Sequence, residues 1–319
     1  MHGGLLRFIL RRAALAALLV LVVSSVALAL ARVAPGSGAI GMDPAAVAAE
    51  RHRLGLDRPF LSQYAAWLSR SARLDFGESL IYRQPVLPLL RERAARTALL
   101  GCAALILATL TGIPLGVFTG SRPRGALPAA VRGASVVLLS VPSLITSLLL
   151  LLIAARTGWL PTGGYGVVPP DAGLFDAALV RLRHVILPAV AIALPLAASL
   201  ERLQSGAMRD ALAEPCMLAA LARGVPRGRL VWRSALRLSL APVLAVYGIV
   251  IGSVLGGSFV VEIVTSWQGL GDLMYRALAG RDIYLVAGCA AAGSLFLAAG
   301  ILVSDVALAA VDPRVEGQA

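Results

Sequence analysis

The sequence contains no lysine, so all 29 of its basic residues are arginines. A phosphate-binding loop of the GxxxxGK[ST] type depends on a lysine, whose ammonium group reaches the β- and γ-phosphates of a nucleotide. The missing lysine excludes such a loop anywhere in the 319 residues. If the work of this protein consumes ATP, a partner must therefore hydrolyse it.

Cysteine and histidine are also scarce, with three of each. The cysteines lie in or beside different apolar segments at no metal-ligand spacing, which predicts free thiols. The histidines are far apart in the chain, so neither a metal site nor an acid–base cluster is predicted. We expect no catalytic residue, no metal ligand and no cofactor bound by this chain, and hence no enzyme. The six residues are Cys102, Cys216, Cys289, His2, His52 and His184.

Hydrophobic residues dominate the composition at 58%, against 14% charged residues, and the mean hydropathy is +0.83. These values lie outside the range of soluble domains and indicate a membrane protein surrounded by lipid. The net charge is +12, but the arginines lie between long apolar runs instead of forming a basic domain with interleaved aromatics. Nucleic acid is therefore not an expected partner.

Six apolar stretches come close to the roughly 20 residues that a membrane-crossing helix needs. They are Phe8–Ala31, Thr97–Thr119, Val131–Ala155, Val185–Leu203, Pro242–Val261 and Leu285–Val311. The expected fold class is an all-α membrane protein with six transmembrane helices. The first stretch could instead be a cleaved signal peptide. Its apolar run is long for a signal core and five more spans follow, which favours an uncleaved anchor.

The distribution of arginines predicts the orientation of the spans. An excess of arginine marks the N-terminus, the Ser121–Arg132 loop and the Arg202–Arg237 loop as cytoplasmic, so both termini are expected on that side. The expected organisation is a cytoplasmic N-terminus with the first helix at 1–31, an extracytoplasmic cap at 32–96, a transmembrane core at 97–311 and a cytoplasmic tail at 312–319. The core contains a cytoplasmic loop at 204–241.

The cap segment predicts a small helical subdomain outside the membrane. Four of its residues recur at helical spacing, and Phe76-Gly77 follows as a turn. The four are Leu61, Tyr64, Ala65 and Leu68.

The loop at 204–241 predicts a helix, a sharp turn and a second helix. Pro215 suits a first helical position, Gly224 suits the left-handed backbone that ends a helix, and Pro226 can restart one. The first helix exposes Met217, Leu218 and Leu221 in a loop assigned to water, so it needs a cover. That cover is either the protein's own domain or the groove of a partner.

The second helix places Arg229, Arg233 and Arg237 four residues apart on one face. Positive-inside topology with arginines reaching lipid phosphate accounts for this spacing as well as a partner surface does. Both interpretations stay open for these arginines.

From Met208 to Pro242 the chain resembles the cytoplasmic "EAA" loop of bacterial ABC-importer permeases. The family pattern E-A-A-x-x-x-G corresponds to Leu218-Ala219-Ala220-Leu221-Ala222-Arg223-Gly224, without the glutamate. The resemblance implies that a short helix docks into an ATPase subunit that carries the ATP and magnesium. The residues implied in ATPase coupling are Met217, Leu218, Ala219, Ala220, Leu221 and Gly224.

Further motifs in the order of the dipeptide/oligopeptide/nickel branch extend the resemblance over nearly the whole chain. They are Leu54–Pro59, Leu74–Ser79, Gly112–Gly116, Trp159–Pro161, Ile186–Ala189, Val260–Gly271, Arg281-Asp282 and Asp312–Val315. The stretch Val260–Gly271 contains an external motif, Glu262, Trp267, Gly269 and Gly271. This motif is interpreted as a re-entrant turn that positions helices, with direct solute contact as the alternative.

Two acids fall in or beside the apolar stretches, where an unpaired charge is costly. Glu201 and Arg202 end the fourth stretch, where reaching out to the boundary or pairing in the cytoplasm is favoured over a substrate site. Asp305 lies within the sixth and is interpreted as a structural partner in the bundle or dimer, with a proton relay as the alternative.

The resemblance implies a multi-pass permease subunit of an ABC importer in the bacterial inner membrane. Implied partners are a second homologous permease, two ATPase subunits and an external solute-binding protein. The expected solute is a peptide or a related small solute, with nickel chelates as the alternative in the same branch. An ion-coupled carrier or a membrane enzyme would need features that the sequence does not display.

Overall fold

The computed structural model describes residues 2–33, 45, 52–53, 59–169 and 171–311. Within these ranges the ordered elements are helices, apart from an isolated β-bridge between Glu78 and Pro85. The all-α fold is thereby confirmed. The helices are α1 His2–Val33, α2 Phe60–Ser71, α3 Val86–Ser121, α4 Ala126–Ser140, α5 Ser143–Thr157, α6 Leu174–Ala213, α7 Pro215–Ala222, α8 Arg227–Arg229, α9 Leu236–Ala245, α10 Tyr247–Val264, α11 Leu270–Ala279 and α12 Ile283–Val311. A π-helical turn, Leu230–Ala235, joins α8 to α9.

Five of these helices are long and apolar enough to cross a membrane, and α4 with α5 make a sixth span if the bent pair counts as one. The predicted stretch Val131–Ala155 is therefore not one straight helix, because the chain bends by 105° between α4 and α5. Pro142 lacks a backbone N–H and disfavours a helical conformation at the residue before it. Val141 accordingly has extended dihedrals of −95° and 116°.

Other helix bounds differ from the apolar stretches because helices continue through polar residues. The second span begins at Val86 instead of Thr97, since Val86 and Leu90 bury an apolar face before the charged turn that follows. The fourth runs over Leu174–Ala213 and contains both Pro188 and Pro195. The predicted fifth stretch is divided at Val246 between α9 and α10.

The chain divides into two compact units, of which the first is Met1–Ala98 with Gln268–Ala298. Its core packs the buried Trp67 of α2 with apolar residues of α3, α11 and α12. The predicted helix in the cap segment is confirmed; of its four residues at helical spacing, Tyr64 and Leu68 pack against this core, whereas Leu61 and Ala65 are exposed. Trp67 and Gln63 point inward, whereas Leu61 is 78% exposed. The large indole buries more apolar surface than the leucine, and this decides which face turns inward.

Asp282, also in the first unit, joins the chain before α3 to the start of α12. Its carboxylate accepts hydrogen bonds from the Ser79 hydroxyl at 2.5 Å, from the Ile81 N–H at 3.2 Å and from the Leu285 N–H at 3.1 Å. Burial raises the pKa of Asp282 above its ordinary value of 3.8, and these hydrogen bonds offset part of the rise. The hydrogen bonds of the carboxylate therefore hold this turn in place, although burying the carboxylate costs free energy of desolvation.

The second unit is Leu99–Trp267 with Ala299–Ala319. Three glycines of α3, four residues apart, lie directly against α6 in this unit. A Cβ atom at Gly112, Gly116 or Gly120 would lie 2.6–2.7 Å from the carbonyl oxygens of Ala197, Glu201 and Ser205 respectively. Small residues at this spacing let two helix backbones approach closely, as in many membrane bundles.

Candidate coupling surface and a buried polar site

The loop at 204–241 has the predicted helix, turn and restart. Pro215 occupies the first turn of α7, and Gly224 has a φ of +82°, which favours glycine over residues with a Cβ. The Gly224 N–H donates to the Leu221 carbonyl at 2.9 Å, and the Val225 N–H donates to the Ala220 carbonyl at 3.1 Å. These bonds close the end of α7 and reverse the chain before α8.

The side chains of α7 divide into an inner and an outer set. The predicted exposure of Met217 is wrong: it is only 9% exposed and packs in a cluster with Met208, Leu230 and Val231. Leu218 and Leu221, three residues apart, are 57% and 43% exposed. Ala219 is exposed and Ala220 half-buried. The chain's own core thus covers Met217, and the two leucines form the outward apolar face.

A basic groove of about 790 Å³ lies in the same unit. Its lining residues come from the turn after α3 and from the segment that begins with α8: Ser121, Arg122, Pro123, Arg124, Arg227, Gly228, Val231 and Trp232. The Arg227 guanidinium donates to the Ser121 carbonyl at 3.2 Å and fixes the two walls together. Trp232 is 56% exposed.

The groove is joined to α7 through Val231, which lines the groove and packs in the cluster that holds Met217. Sequence reasoning missed this groove. The arginine excess of the Ser121–Arg132 and Arg202–Arg237 loops predicts their orientation, and Trp232 among these arginines is the sequence signal for this groove.

The part of the external motif that lies in the second unit, Glu262 and Trp267, is buried. Glu262 and Trp267 are fully buried, and the Trp267 N–H donates to the Glu262 carbonyl at 2.8 Å. Trp267 also makes an edge-on ring contact with Tyr165 at 5.1 Å. The Gly164 N–H donates to the Thr265 carbonyl at 3.0 Å. This burial favours the interpretation as a turn that positions helices over direct solute contact.

The two glycines of the motif lie in the first unit. Gly269 precedes α11, and Gly271 is buried within that helix. The Leu270 N–H between them donates to the Thr97 hydroxyl at 2.8 Å, which ties the start of α11 to α3. Their role in this unit is to start a helix close to its neighbour.

A second polar site surrounds Glu201 on α6. Glu201 is 1% exposed, so the interpretation that it reaches out to the boundary is wrong. The Thr119 hydroxyl donates to Glu201 Oε1, whereas Oε2 has no hydrogen-bond partner among the described residues. The close approach of α3 at Gly116 brings Thr119 to this carboxyl. The site was not predicted because a glutamate that ends an apolar stretch resembles an ordinary boundary charge.

Two further polar side chains on α6 lie beside Glu201. Gln204 donates from Nε2 to the Ser239 hydroxyl of α9 at 2.7 Å, and it is fully buried. The buried Ser205 hydroxyl has no partner in the described part of the chain. A cavity of about 290 Å³ adjoins them, lined by Arg132, Val136, Glu201, Arg202, Ser205 and Arg209.

Among the described residues, no group of three or more histidine, cysteine, aspartate and glutamate side chains could hold a metal ion. Asp305 lies on α12 and is half-buried, next to Ser304, whose hydroxyl donates to the Leu244 carbonyl at 3.3 Å. Its position within a helix packed in the second unit fits a structural role.

The family described as "Binding-protein-dependent transport system inner membrane component" matches residues 112–317, and its N-terminal counterpart matches residues 5–98. The oligopeptide transport system permease protein AppB of Bacillus subtilis is 31% identical over 316 residues, which cover 97% of this chain and 99% of AppB. The oligopeptide transport system permease protein OppB of Mycobacterium tuberculosis H37Rv is 34% identical over 278 residues, 85% of each chain. A putative peptide transport system permease protein of Brucella abortus is 32% identical over 314 residues, 96% of this chain and 98% of the relative.

Proposed function

Because this chain belongs to the family of binding-protein-dependent transport system inner membrane components, we propose that it forms half of a path for peptides. The family and the relatives make it a multi-pass permease component of an ABC importer in the inner membrane, and not an enzyme. Three relatives are named for peptides or oligopeptides, which supports peptides as the solute class.

The coupling of this chain to ATP hydrolysis rests on α7. Leu218 and Leu221 present an apolar face on a helix of eight residues, and Gly224 reverses the chain directly after it. Such a face gains free energy when a partner covers it. The observation that carries the proposal is this pair of exposed leucines on a helix whose opposite side is held in the protein core by Met217.

The basic groove extends the same surface. Arg122, Arg124 and Arg227 line it with positive charge, and the exposed Trp232 adds a large amphipathic side chain of the kind that interfaces favour. The groove suits acidic side chains of the ATPase that engages α7. ATP and magnesium belong to that subunit, because this chain has no lysine for a phosphate-binding loop.

The full assembly in this proposal contains a second homologous permease, two ATPase subunits and an external solute-binding protein. The N-terminus, the 121–132 loop and the 202–237 loop face the cytoplasm, so α7 meets the ATPase there. The 32–96 segment then faces the binding protein on the other side.

The test is reconstitution of the assembly in liposomes, with ATP hydrolysis measured against binding protein loaded with a short peptide. We expect the Leu218→Asp variant to insert normally into the membrane but to lose ATPase co-purification and peptide-stimulated hydrolysis together. The reason is that the substitution places an unpaired charge in the groove of the ATPase that receives α7. Leu61→Asp, also at an exposed leucine, is the matched control and should keep ATPase association. Normal association and stimulation in Leu218→Asp would refute the coupling role of α7.

A further inference from the structure

The cavity beside Glu201, defined by the six residues Arg132, Val136, Glu201, Arg202, Ser205 and Arg209, has a polar floor and a basic rim. Glu201 and Ser205 are nine-tenths or more buried, and Glu201 Oε2 and Ser205 Oγ lack partners within the described residues. Its volume of about 290 Å³ far exceeds the roughly 10–15 Å³ that a cavity needs, on the same measure, to hold one water. The cavity is therefore large enough for a small ligand group.

The floor favours a cation that donates hydrogen bonds. A buried carboxylate with one hydrogen bond is costly unless a positive partner compensates it. A primary ammonium carries three donors, enough to reach both Glu201 Oε2 and Ser205 Oγ. Among the described residues no guanidinium of the rim fills this role, because Glu201 Oε2 has no hydrogen-bond partner and the Nε of Arg209 donates instead to the Ser205 carbonyl at 3.2 Å.

The rim favours an anion with several acceptor oxygens. Arg132, Arg202 and Arg209 contribute guanidinium groups, which bind phosphate through paired N–H donors. Arg132 is held by its bonds to the carbonyls of Thr119 at 3.4 Å and Pro123 at 3.1 Å. The ligand that satisfies both parts carries an ammonium a short distance from a phosphate.

The position of the cavity along the helices points to lipid as the source of these groups. On α6 the apolar run ends at Leu200, and Glu201, Arg202 and Arg209 follow, as expected where a helix leaves the hydrocarbon region. On α4 the rim residue Val136 and its neighbour Val137 are exposed apolar residues. Acyl chains attached to a headgroup in the cavity would cover them.

We propose that this cavity binds the headgroup of a phospholipid with a primary amine, such as phosphatidylethanolamine. The ammonium donates to Glu201 Oε2 and Ser205 Oγ, and the phosphate binds the guanidinium groups of Arg132, Arg202 and Arg209. The bound lipid neutralises the buried carboxyl at the junction of α3 and α6.

The experiment uses the full chain in its transporter complex, purified in a mild detergent and titrated with defined lipids under native mass spectrometry. The lipids are phosphatidylethanolamine, phosphatidylcholine and phosphatidylglycerol with identical acyl chains. We expect phosphatidylethanolamine to bind about tenfold more tightly than the other two, since only its headgroup combines N–H donors with a positive charge that compensates the buried carboxylate. Equal binding of the three lipids would overturn the proposal.

Two variants test separately which residues bind the ammonium and which bind the phosphate of the headgroup. Glu201→Gln should remove the preference for phosphatidylethanolamine and leave phosphatidylglycerol binding unchanged, whereas Arg202→Gln should weaken all three lipids. The matched control is Asp210→Asn, an exposed acid of the same helix that does not line the cavity, and it should bind like the wild type.

Other outcomes would identify a different ligand or none. A Glu201→Gln variant that kept the preference would overturn the role of the carboxyl, and displacement of the lipid by a short peptide would make this a solute site instead. If Glu201→Gln does not fold, Ser205→Ala carries the same test, because it removes an acceptor of the ammonium. Its preference should fall severalfold, and an unchanged preference would refute the assignment.

Discussion

A side chain at Gly116 would collide with the backbone of Glu201, since a Cβ atom there would lie 2.7 Å from the Glu201 carbonyl oxygen and 2.6 Å from Gln204 Cβ. The same approach brings the Thr119 hydroxyl to the Glu201 carboxyl. The close packing of α3 on α6 and the buried polar site are therefore consequences of one contact.

Gly116→Ala should destabilise the protein by about 1–3 kcal/mol, because overpacking forces the two helices apart. The measurement is the thermal unfolding midpoint in detergent. Gly133→Ala is the matched control: this helical glycine has nothing within 4 Å of the added Cβ. It should be neutral or more stable, since alanine has the better helix propensity. Equal midpoints for Gly116→Ala and the wild type would contradict the close approach.

The buried Asp282 should make the free energy of unfolding depend on pH. Its pKa is raised by burial in the folded protein, so the folded state binds its proton more tightly than the unfolded state does. The resulting stabilisation is present below the unfolded value of 3.8 and is lost as the pH rises through the raised folded value. Asp282→Asn should therefore gain stability relative to the wild type as the pH rises over that interval.

Chemical unfolding of both proteins across this pH interval measures the difference. Ser79→Ala is the second variant, because the Ser79 hydroxyl donates to Asp282 and lowers its pKa. Without that bond the loss of stability with rising pH should be larger. Parallel stability curves for Asp282→Asn and the wild type would show that the buried carboxyl does not control this dependence.

Local signals in the sequence were sufficient to predict the helix, turn and restart of the loop at 204–241. Pro215 and Gly224 act through their own backbone preferences, which no neighbour has to supply. The apolar stretches likewise predicted where most spans lie. Hydropathy could not predict where the helices end, because α3 and α6 continue beyond their apolar stretches into charged residues.

Features that depend on tertiary packing were not accessible from the sequence. The bend after Ser140 lies within the apolar stretch Val131–Ala155, where Pro142 is the local signal for it and hydropathy alone does not predict it. The burial of Glu201 depends on the approach of α3, and that of Met217 on the cluster around Leu230. The four-residue spacing of the glycines in α3 is the sequence signal for the first of these contacts.

The orientation of the chain predicts which positions a membrane-impermeant thiol reagent reaches. In a variant without Cys102, Cys216 and Cys289, a cysteine at the exposed Arg124 should react only after the cells are permeabilised. A cysteine at the exposed Thr162 should react in intact cells, because Thr162 lies between the third and fourth predicted spans and one span separates it from the cytoplasmic 121–132 loop. Labelling of Arg124→Cys in intact cells would invert the proposed topology.

The inner and outer side chains of α7 predict opposite consequences for the same substitution. Met217→Asp places a carboxylate in the cluster with Met208, Leu230 and Val231, so it should lower the unfolding midpoint sharply and cost several kcal/mol. Leu221→Asp changes a side chain that is 43% exposed and should leave the midpoint near that of the wild type. The Leu221→Asp substitution should instead weaken ATPase association, measured as a loss of co-purification and of peptide-stimulated ATP hydrolysis.

Thermal unfolding of the isolated chain and ATPase co-purification from the same detergent separate these effects. Leu221→Asn is a useful intermediate, because it removes the apolar contact without adding a charge, and it should weaken association less than Leu221→Asp does. If Leu221→Asp instead unfolded the protein, the outer face of α7 would be part of the chain's own packing. If Met217→Asp were stable and lost association, the two faces would be assigned the wrong way round. Either result would move the ATPase contact away from the two leucines, and the basic groove around Trp232 would then be the remaining surface for that contact.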